Sequence, residues 1–367
     1  MKKHQLALSV ALGSLMTSAA MAQNVDLSKV NVDAYGHINM AVMHGDTGYG
    51  SEQYIVDNKY ASSRVGTRIS TDVEELGMTV GAHIEFEYQH NDSNVVNEQN
   101  RSEKGEWNER HVNLFAKGRY GMISVGQGSG AADGATEMDL SGTKVAAFPD
   151  LRLVGGALPF AGKDGVGDVQ VKQSFQSQDF EARYDRIRYD APNFGPVKVS
   201  VSHGYKEQGG GNADTSEFAA SYNTNVDGLG RISAAVGYSA QYGETGGAVA
   251  QDTVGGSISW LHESGFNATG VYSYRDYDSD KKESTFNMVK LGYKTGKHSY
   301  TLHRAQGQDF NPVGITGSDV EIYGAAYVYQ PIKRLDVYFA YNNFALDADN
   351  GGYDDVNVAM IGSRLKF

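Results

Sequence analysis

The chain has 367 residues, no cysteine, 45 glycines, 23 tyrosines and a formal net charge of −12 at pH 7. The absence of cysteine excludes a disulfide scaffold, an iron–sulfur cluster and a thiolate zinc site. The acidic charge argues against nucleic acid as a partner, since phosphate binding requires a basic face. A mean hydropathy of −0.44 does not exclude a membrane protein, because half of each strand in a wide transmembrane barrel faces water.

The N-terminus has the three parts of a secretory signal peptide. Lys2 and Lys3 form a basic start, an apolar stretch covers Leu6–Met16, and Ala20-Met21-Ala22 matches a cleavage site. We therefore expect residues 1–22 to be removed on export, which changes the formal charge to −14. No later stretch has eighteen consecutive apolar residues, so the sequence predicts no transmembrane helix.

The rest of the chain alternates apolar and polar residues in long runs. In the first run Val32 and Ile38 share one parity, while Asp33 and His37 share the other. This period of two predicts strands, and the runs are longer than most strands of soluble proteins. Sixteen strands are predicted, at Val30–Met43, Ser62–Val73, Met78–Gln89, Glu109–Lys117, Met122–Gln127, Arg183–Asp190, Val197–Tyr205, Glu217–Asn225, Arg231–Tyr242, Thr253–His262, Phe266–Tyr277, Thr285–Lys294, His298–Ala305, Val320–Gln330, Leu335–Phe344 and Asp354–Phe367.

The connections between these strands alternate in length. Long loops, such as Gly45–Ala61 and Asn91–Asn108, alternate with short turns, such as Glu74–Gly77 and Gly118–Gly121. Short turns at one end and long loops at the other are typical of outer-membrane barrels. A sheet that crosses a bilayer must close on itself, because lipid offers no partner to unpaired backbone groups. The predicted fold is therefore all-β, a transmembrane antiparallel 16-stranded β-barrel wide enough for an aqueous channel.

The stretch from Gly126 to Asp168 has neither a strand nor a helix period. A structureless segment of this length is uncommon inside a compact domain, and is usually functional or disordered. Disorder is disfavoured by a set of apolar residues that favour burial, namely Phe148, Leu151, Leu153, Val154, Leu158 and Phe160. We expect this segment to fold into the lumen of the barrel and to set the size of a pore.

Five stretches are similar to motifs of one known family. They are Ser63-Arg64-Val65-Gly66-Thr67-Arg68, Glu74-Glu75-Leu76-Gly77, Tyr120-Gly121-Met122-Ile123-Ser124-Val125-Gly126, Arg188-Tyr189-Asp190-Ala191-Pro192-Asn193-Phe194-Gly195 and Gly362-Ser363-Arg364-Leu365-Lys366-Phe367. In this order, residues 23–367 resemble the Gram-negative general diffusion porins. The chain departs from the family pattern by a few extra residues between the first two stretches, and by Gln127 where the family usually has arginine.

The resemblance implies a trimer of sixteen-stranded barrels whose third loop, here about residues 128–180, folds inward with its acids facing arginines on the opposite wall. The acids that it places on this loop are Asp133, Glu137, Asp139 and Asp150. The facing cations that it implies are Arg64, Arg68, Arg110 and Arg183. Two further arginines whose own alternation faces the lumen are Arg186 and Arg188. In the family, the terminal Phe367 belongs to the signal for barrel assembly.

Opposed acidic and basic walls would produce a transverse field that orients dipolar solutes. The alternation of the fourth strand predicts the other face for Arg110, which shares parity with Val112 and Leu114, so that its position rests on the resemblance alone. Acidic residues outnumber basic residues between Gly126 and Asp168, and this excess favours a weak preference for cations.

The expected function is an outer-membrane porin, a water-filled channel for passive diffusion of small hydrophilic solutes and ions. Expected partners are outer-membrane lipid, lipopolysaccharide, further copies of the chain in a homotrimer, and the barrel assembly machinery. No cofactor or metal is expected, because the histidines lack paired ligand spacing. Three alternatives stay open, namely a channel selective for a sugar or phosphate, a barrel-anchored adhesin, and an outer-membrane enzyme. The sequence contains no G-x-S-x-G, H-E-x-x-H or P-loop motif that would favour the enzyme.

Overall fold

The computed structural model describes residues 29–163, 165–208, 211–243, 250–278 and 283–367. The predicted signal peptide, residues 1–22, lies outside these ranges. Within them, no helix is both long and apolar enough to cross a membrane.

The described residues form strands over most of their length. In chain order they are β1 (Asn31–Thr47), β2 (Gly50–Asp57), β3 (Arg64–Val73), β4 (Met78–Gln89), β5 (Glu106–Gly118), β6 (Gly121–Ser129), β7 (Pro159–Phe160), β8 (Val169–Gln170), β9 (Arg183–Asp190), β10 (Val197–Gln208), β11 (Gly211–Val226), β12 (Gly230–Gly243), β13 (Gln251–Leu261), β14 (Phe266–Tyr277), β15 (Ser284–Thr295), β16 (His298–Gln308), β17 (Asp319–Ile332), β18 (Leu335–Asp347) and β19 (Val356–Lys366).

All of these strands except β7 and β8 belong to one antiparallel sheet. From β3 onward each strand of this sheet pairs with the next one in the chain, and β6 pairs with β9. The sheet closes because β1 pairs with β19 on one edge and with both β2 and β3 on the other. Since β2 and β3 lie end to end along β1, they form one position of the barrel together. The barrel thus has sixteen positions, which confirms the predicted fold class.

In part of the barrel wall, side chains alternate between an exposed apolar face and a buried polar face. In β13, Val254 and Ile258 are more than half exposed, whereas Thr253 and Ser259 are fully buried. This distribution reverses that of a soluble protein, and it suits a wall with lipid outside and a polar interior.

The predicted strands are correct in order, but several of their ends differ in the structure. The predicted long loop Gly45–Ala61 is wrong, because β1 and β2 form a tight hairpin within it through Gly48 and Tyr49. Pro331 lies inside β17 and not in a turn. The register shifts between Tyr329 and Ile332, so that Pro331 avoids a position where it would remove a ladder hydrogen bond.

The segment between β6 and β9, residues 130–182, contains little regular structure. It holds the small β7–β8 sheet, a 3-10 helix at Leu151–Leu153 and a one-turn α-helix at Val171–Ser174. We call it the constriction segment. Four of its six predicted apolar residues are buried, namely Leu151, Val154, Leu158 and Phe160, and they form one core with side chains of the barrel wall such as Phe286 and Phe344. Phe148 and Leu153 are partly buried and pack against this core.

This core explains why the constriction segment is ordered although it lacks a period. Leu151, Val154, Leu158 and Phe160 are each at most 1% exposed. Burying a side chain of this size contributes about 1.5–3 kcal/mol, which offsets the backbone entropy that the irregular chain loses.

A second irregular stretch interrupts the barrel wall between β2 and β3. Residues 58–63 leave the sheet, form a 3-10 turn at Lys59–Ala61, and return at Arg64. We call these six residues the strand-two excursion. Asn58 caps the turn by accepting a hydrogen bond from the amide of Tyr60.

Candidate functional site

A polar cavity of about 760 Å³ lies between the constriction segment and the wall formed by β3, β5, β9 and the strand-two excursion. Among the described residues, seven cationic side chains line it, namely Lys59, Arg64, Arg110, Lys144, Arg152, Arg183 and Arg364. Five acidic side chains line it as well, namely Glu87, Asp133, Glu137, Asp150 and Asp179. The cavity is the candidate functional site.

The constriction segment supplies four of these acids. Asp133, Glu137 and Asp150 were predicted from the sequence, and Asp179 was missed. Asp179 accepts hydrogen bonds from the amides of Gly134 (2.8 Å) and Thr136 (3.0 Å). It therefore holds the turn that carries Asp133 and Glu137, a role that no sequence period indicates.

Two acids at this turn, Asp179 and Glu137, have raised pKa values. Burial raises the pKa of Asp179 well above its ordinary value, and the neighbouring carboxylates of Glu137 and Asp133 raise it further. Burial also raises the pKa of Glu137, against the lowering effect of the Lys144 ammonium 2.9 Å away. Asp179 and Glu137 therefore lose their protons at a higher pH than exposed carboxylates do.

Asp139, predicted to line the pore, does not reach this cavity. Its carboxylate lies 2.6 Å from the Nζ of Lys290 on β15, and both side chains are only 1% exposed. Lys290 also donates to the carbonyl of Ala147. Burial alone would raise the pKa of Asp139, but the ammonium and the hydroxyl and amide of Ser141 outweigh this effect and lower it. The pair anchors the constriction segment to the wall.

Further contacts attach the same part of the segment to the polar face of the wall. The amides of Met138 and Leu140 donate to the hydroxyls of Ser257 (2.8 Å) and Ser259 (2.9 Å) on β13. Ser257 in turn donates to the carbonyl of Ala135. Since Ile258 between these serines is exposed on the opposite face, the segment contacts the side of the sheet that is turned away from the exposed apolar residues.

Arg110 reaches the cavity because of a β-bulge. Glu85 of β4 lies opposite His111 and the next residue, Phe86, lies opposite Glu109, so that Arg110 is an extra residue on β5. A bulge of this kind redirects a side chain to the other face of the sheet. The guanidinium donates to Glu85 (2.6 Å) and to Glu87 (2.7 Å). Strict alternation had predicted the other face for Arg110.

Arg64 and Arg183 also line the cavity, and they are less completely paired. The Nε of Arg64 donates to the carbonyl of Ser62 (3.0 Å), and its Nη1 lies 3.8 Å from Glu85. The Nε of Arg183 is buried and makes no hydrogen bond to any described residue. These two guanidinium groups are therefore the cations of the wall with most capacity left for an anionic solute.

Three predicted arginines do not line the cavity. Arg68 lies over the ring of Tyr35, 4.9 Å from its centroid. Arg186 donates to the carbonyls of Gly126 (3.2 Å) and Ser129 (3.0 Å), at the start of the constriction segment. Arg188 donates to Asp190 (2.8 Å) and also to the carbonyl of Gly130. The last two hold the base of the segment.

Four lining cations were not predicted from the sequence. Lys144 pairs with Glu137, and Arg152 with Asp150 at 2.9 Å, both within the constriction segment. Arg364 donates to Asp336. Arg364 belongs to the quoted C-terminal motif, which could have indicated it. Lys59 lies in a stretch that had been predicted to be a loop, and no sequence signal marked it.

Phe367 lies at the seam of the barrel. Its amide and carbonyl exchange hydrogen bonds with Gly36 of β1, each 3.0 Å long. A Cβ at Gly36 would lie 2.7 Å from the Phe367 ring, so glycine gives the ring its place. The ring shares the exposed outer face with Leu365. Its proposed part in assembly stays a prediction.

Comparison with known proteins adds a family to this geometry. A family model of Gram-negative porins matches residues 7–349. A search of curated proteins found no match.

Among solved structures, the anion-selective porin from Comamonas acidovorans aligns with a TM-score of 0.64 and 17% identity over 92% of this chain and 100% of that chain. The outer membrane channel DcaP of Acinetobacter baumannii aligns with a TM-score of 0.60 and 14% identity over 93% and 98%. The trimer form of in-vitro folded OmpT from Vibrio cholerae aligns with a TM-score of 0.57 and 13% identity over 92% and 99%. At these identities the likeness establishes the fold alone.

The family match covers residues 7–349, which include every strand of the closed sixteen-position barrel except β19. Both point to a channel and not to an enzyme. The chain therefore belongs to the Gram-negative porins and forms an outer-membrane channel for passive diffusion.

Proposed function

We propose that the polar cavity is the narrowest part of the channel and that the constriction segment sets its size. The observation that carries this proposal is the lining itself, with cationic and acidic side chains on facing elements around about 760 Å³. Small hydrophilic solutes would pass through it between the acidic turn of the segment and the guanidinium groups of Arg64, Arg110 and Arg183.

This arrangement would select solutes by polarity and size. Opposed charges produce a transverse field, which orients dipolar solutes. An apolar solute is disfavoured, because it would remove water from the charged side chains without replacing the hydrogen bonds of that water. Glu87 and Arg110 pair with each other, as do Asp150 and Arg152. The residual field therefore comes mainly from Arg64 and Arg183 on the wall, and from Asp133 on the segment.

Proposed partners follow from the family and from one structural neighbour. OmpT of Vibrio cholerae is described in a trimer form, and we propose a homotrimer for this chain. The barrel assembly machinery and lipopolysaccharide are proposed as partners on the family resemblance. The exposed Phe367 would contact the assembly machinery, and acidic residues of the loops would contact lipopolysaccharide. The oligomer is tested by the mass of the detergent-solubilised protein before and after heating.

Deletion of residues 131–146 tests the role of the constriction segment. These residues include the acidic turn and the Asp139–Lys290 anchor, but leave the apolar core from Leu151 onward in place. We expect a larger single-channel conductance and entry of larger sugars in a liposome-swelling assay. A folded, heat-modifiable deletion protein with the conductance of the wild type would refute the proposal.

A further inference from the structure

The register of the barrel shows that the strand-two excursion is an insertion of four residues. Met40 of β1 lies opposite Asp57, and His37 lies opposite Arg64. Two residues of β1 separate Met40 from His37, whereas residues 58–63 separate Asp57 from Arg64. A regular antiparallel pair would need two residues on each side, so four residues are surplus to the wall.

The surplus residues contact the constriction segment. Tyr60 is buried, its hydroxyl donates to the carbonyl of Leu151 (3.1 Å), and its ring stacks on Phe148 with centroids 6.1 Å apart. The side-chain amide of Asn58 donates to the carbonyl of Val145 (2.9 Å). The excursion therefore extends from the wall to the segment, and both line the same cavity.

Hydrogen bonds to β1 and β2 also hold the excursion in place. The amide of Asn39 on β1 donates to the hydroxyl of Ser63 (3.0 Å), and its side chain donates to the carbonyl of Ala61 (2.9 Å). The amide of Ser63 donates to Asp57. Because each end of the excursion is tied to β1 or β2, its position does not depend on the constriction segment alone.

Lys59 is the charged residue at the tip of the excursion. Its Nζ lies 3.1 Å from Asp92 and 3.7 Å from Glu87, and it donates to the side chain of Gln89. A quarter of its side chain is exposed, and it lines the cavity. The excursion also supplies the Ser62 carbonyl that orients Arg64.

We propose that the strand-two excursion is a second constriction element, built into the barrel wall, which narrows the channel opposite the constriction segment. Lys59 is the residue through which the excursion selects permeating ions by size and charge. This inference rests on the proposed function, since it assigns a further residue to the same passage.

Cysteine labelling tests the inference without changing the fold, because the chain has no cysteine of its own. The Lys59→Cys variant is modified in a planar bilayer with an anionic or a cationic methanethiosulfonate. Either label should lower the single-channel conductance, and the anionic label should shift the reversal potential towards cation preference. The matched control is Lys104→Cys, at an exposed loop lysine that does not line the cavity. Labelling there should change neither quantity.

Deletion of residues 58–61 is the second test. It places Ser62 opposite Asn39 and Ser63 opposite Ile38, which restores a regular register from β2 into β3. Because four is an even number, every later side chain keeps its face of the sheet. The deletion protein should conduct more than the wild type. An unchanged conductance in folded protein would overturn the inference, and if the deletion does not fold, the labelling experiment decides.

The outcomes separate this inference from the proposed function. A wild-type protein without conductance would refute the channel itself. A conducting wild type whose Lys59→Cys variant is insensitive to both labels would refute the second constriction element and leave the first in place.

Discussion

At the scale of single residues, the buried ion pair between Asp139 and Lys290 anchors the constriction segment to the wall. Removing one member of a buried pair costs about 3–5 kcal/mol, because the other charge is left without a partner in a poorly hydrated site. Asp139→Asn should therefore loosen the segment. We expect more open-channel current noise and a lower temperature of heat modification.

The control for this prediction is an exposed pair on the loops. Lys163 and Asp354 lie 2.7 Å apart, but nearly half of each side chain is exposed. Exposed pairs contribute about 0–1 kcal/mol, so Lys163→Gln should leave both readouts unchanged. Combining Asp139→Asn with Lys290→Met should recover much of the loss, because no unpaired charge remains. Equal noise in Asp139→Asn and wild type would contradict the anchoring role.

The acidic turn predicts a pH dependence of ion selectivity. Because the pKa values of Asp179 and Glu137 are raised, these groups take up protons as the pH falls, before exposed carboxylates do at about pH 4. The lining then loses negative charge and the channel should become more permeable to anions. Reversal potentials in a KCl gradient, recorded from pH 7 downward, measure this shift. Asp179→Asn should reduce it, and a shift that begins only near pH 4 would contradict the assignment.

Arg110 shows where sequence reasoning fails at the scale of a residue. Alternation predicts the face of a side chain only while every residue on one strand has a partner on the next. The extra residue at Arg110 breaks that count, and nothing in the local sequence marks it. For Asp133, Glu137 and Asp150, which line the cavity, the family pattern and not the alternation suggested a place on the irregular segment.

At the scale of elements, the long runs of alternation predicted the order and the number of the barrel strands. The ends were less predictable, because β1 and β2 continue through polar and glycine-rich residues of Gly45–Ala61, which had been predicted to be a loop. The strand-two excursion was not predictable for a related reason. Its position depends on bonds to β1 and β2 and on contacts with Phe148, Leu151 and Val145, which are distant in sequence.

The C-terminal element carries a prediction about assembly. Phe367 ends the chain beside β1 and lies on the exposed outer face. Phe367→Ser should lower the yield of heat-modifiable protein in the outer membrane while leaving the conductance of the assembled channel unchanged. Phe266→Ser is the matched control, since Phe266 is an equally exposed aromatic next to a short turn but is internal to the chain. Equal yields of the two variants would refute a special role for the terminal residue.

At the scale of the whole molecule, the net charge does not determine selectivity. Exposed charges farther than about 10 Å from the passage are screened at 0.1 M salt, so the acidic total matters little. The weak cation preference expected from the sequence counted Asp139 and Asp168, but Asp139 pairs with Lys290, and Asp168 accepts a hydrogen bond from Tyr49 outside the lining. In the described part of the chain, seven cations and five acids line the cavity.

We therefore expect a modest anion preference in a KCl gradient at neutral pH. Arg183→Gln should move the reversal potential towards cations, because it removes a lining cation whose Nε makes no hydrogen bond to a described residue. Arg101→Gln should have little effect, since Arg101 is an exposed loop residue that pairs with Glu52. A clear cation preference of the wild type would show that the acidic turn outweighs the wall.

The seam between β1 and β19 determines when the barrel can close during or after synthesis. Residues 37–46 pair with residues 357–366, so β1, which is synthesised first, can form this pairing only after β19 has been synthesised. Until then β1 keeps an unpaired edge, which is open to pairing with another chain. The constriction segment likewise can form its contacts with β13 and β15 only after these strands have been synthesised. A nascent chain that stops before Val356 has two unpaired sheet edges and cannot close the barrel, even if all of its other strands are paired.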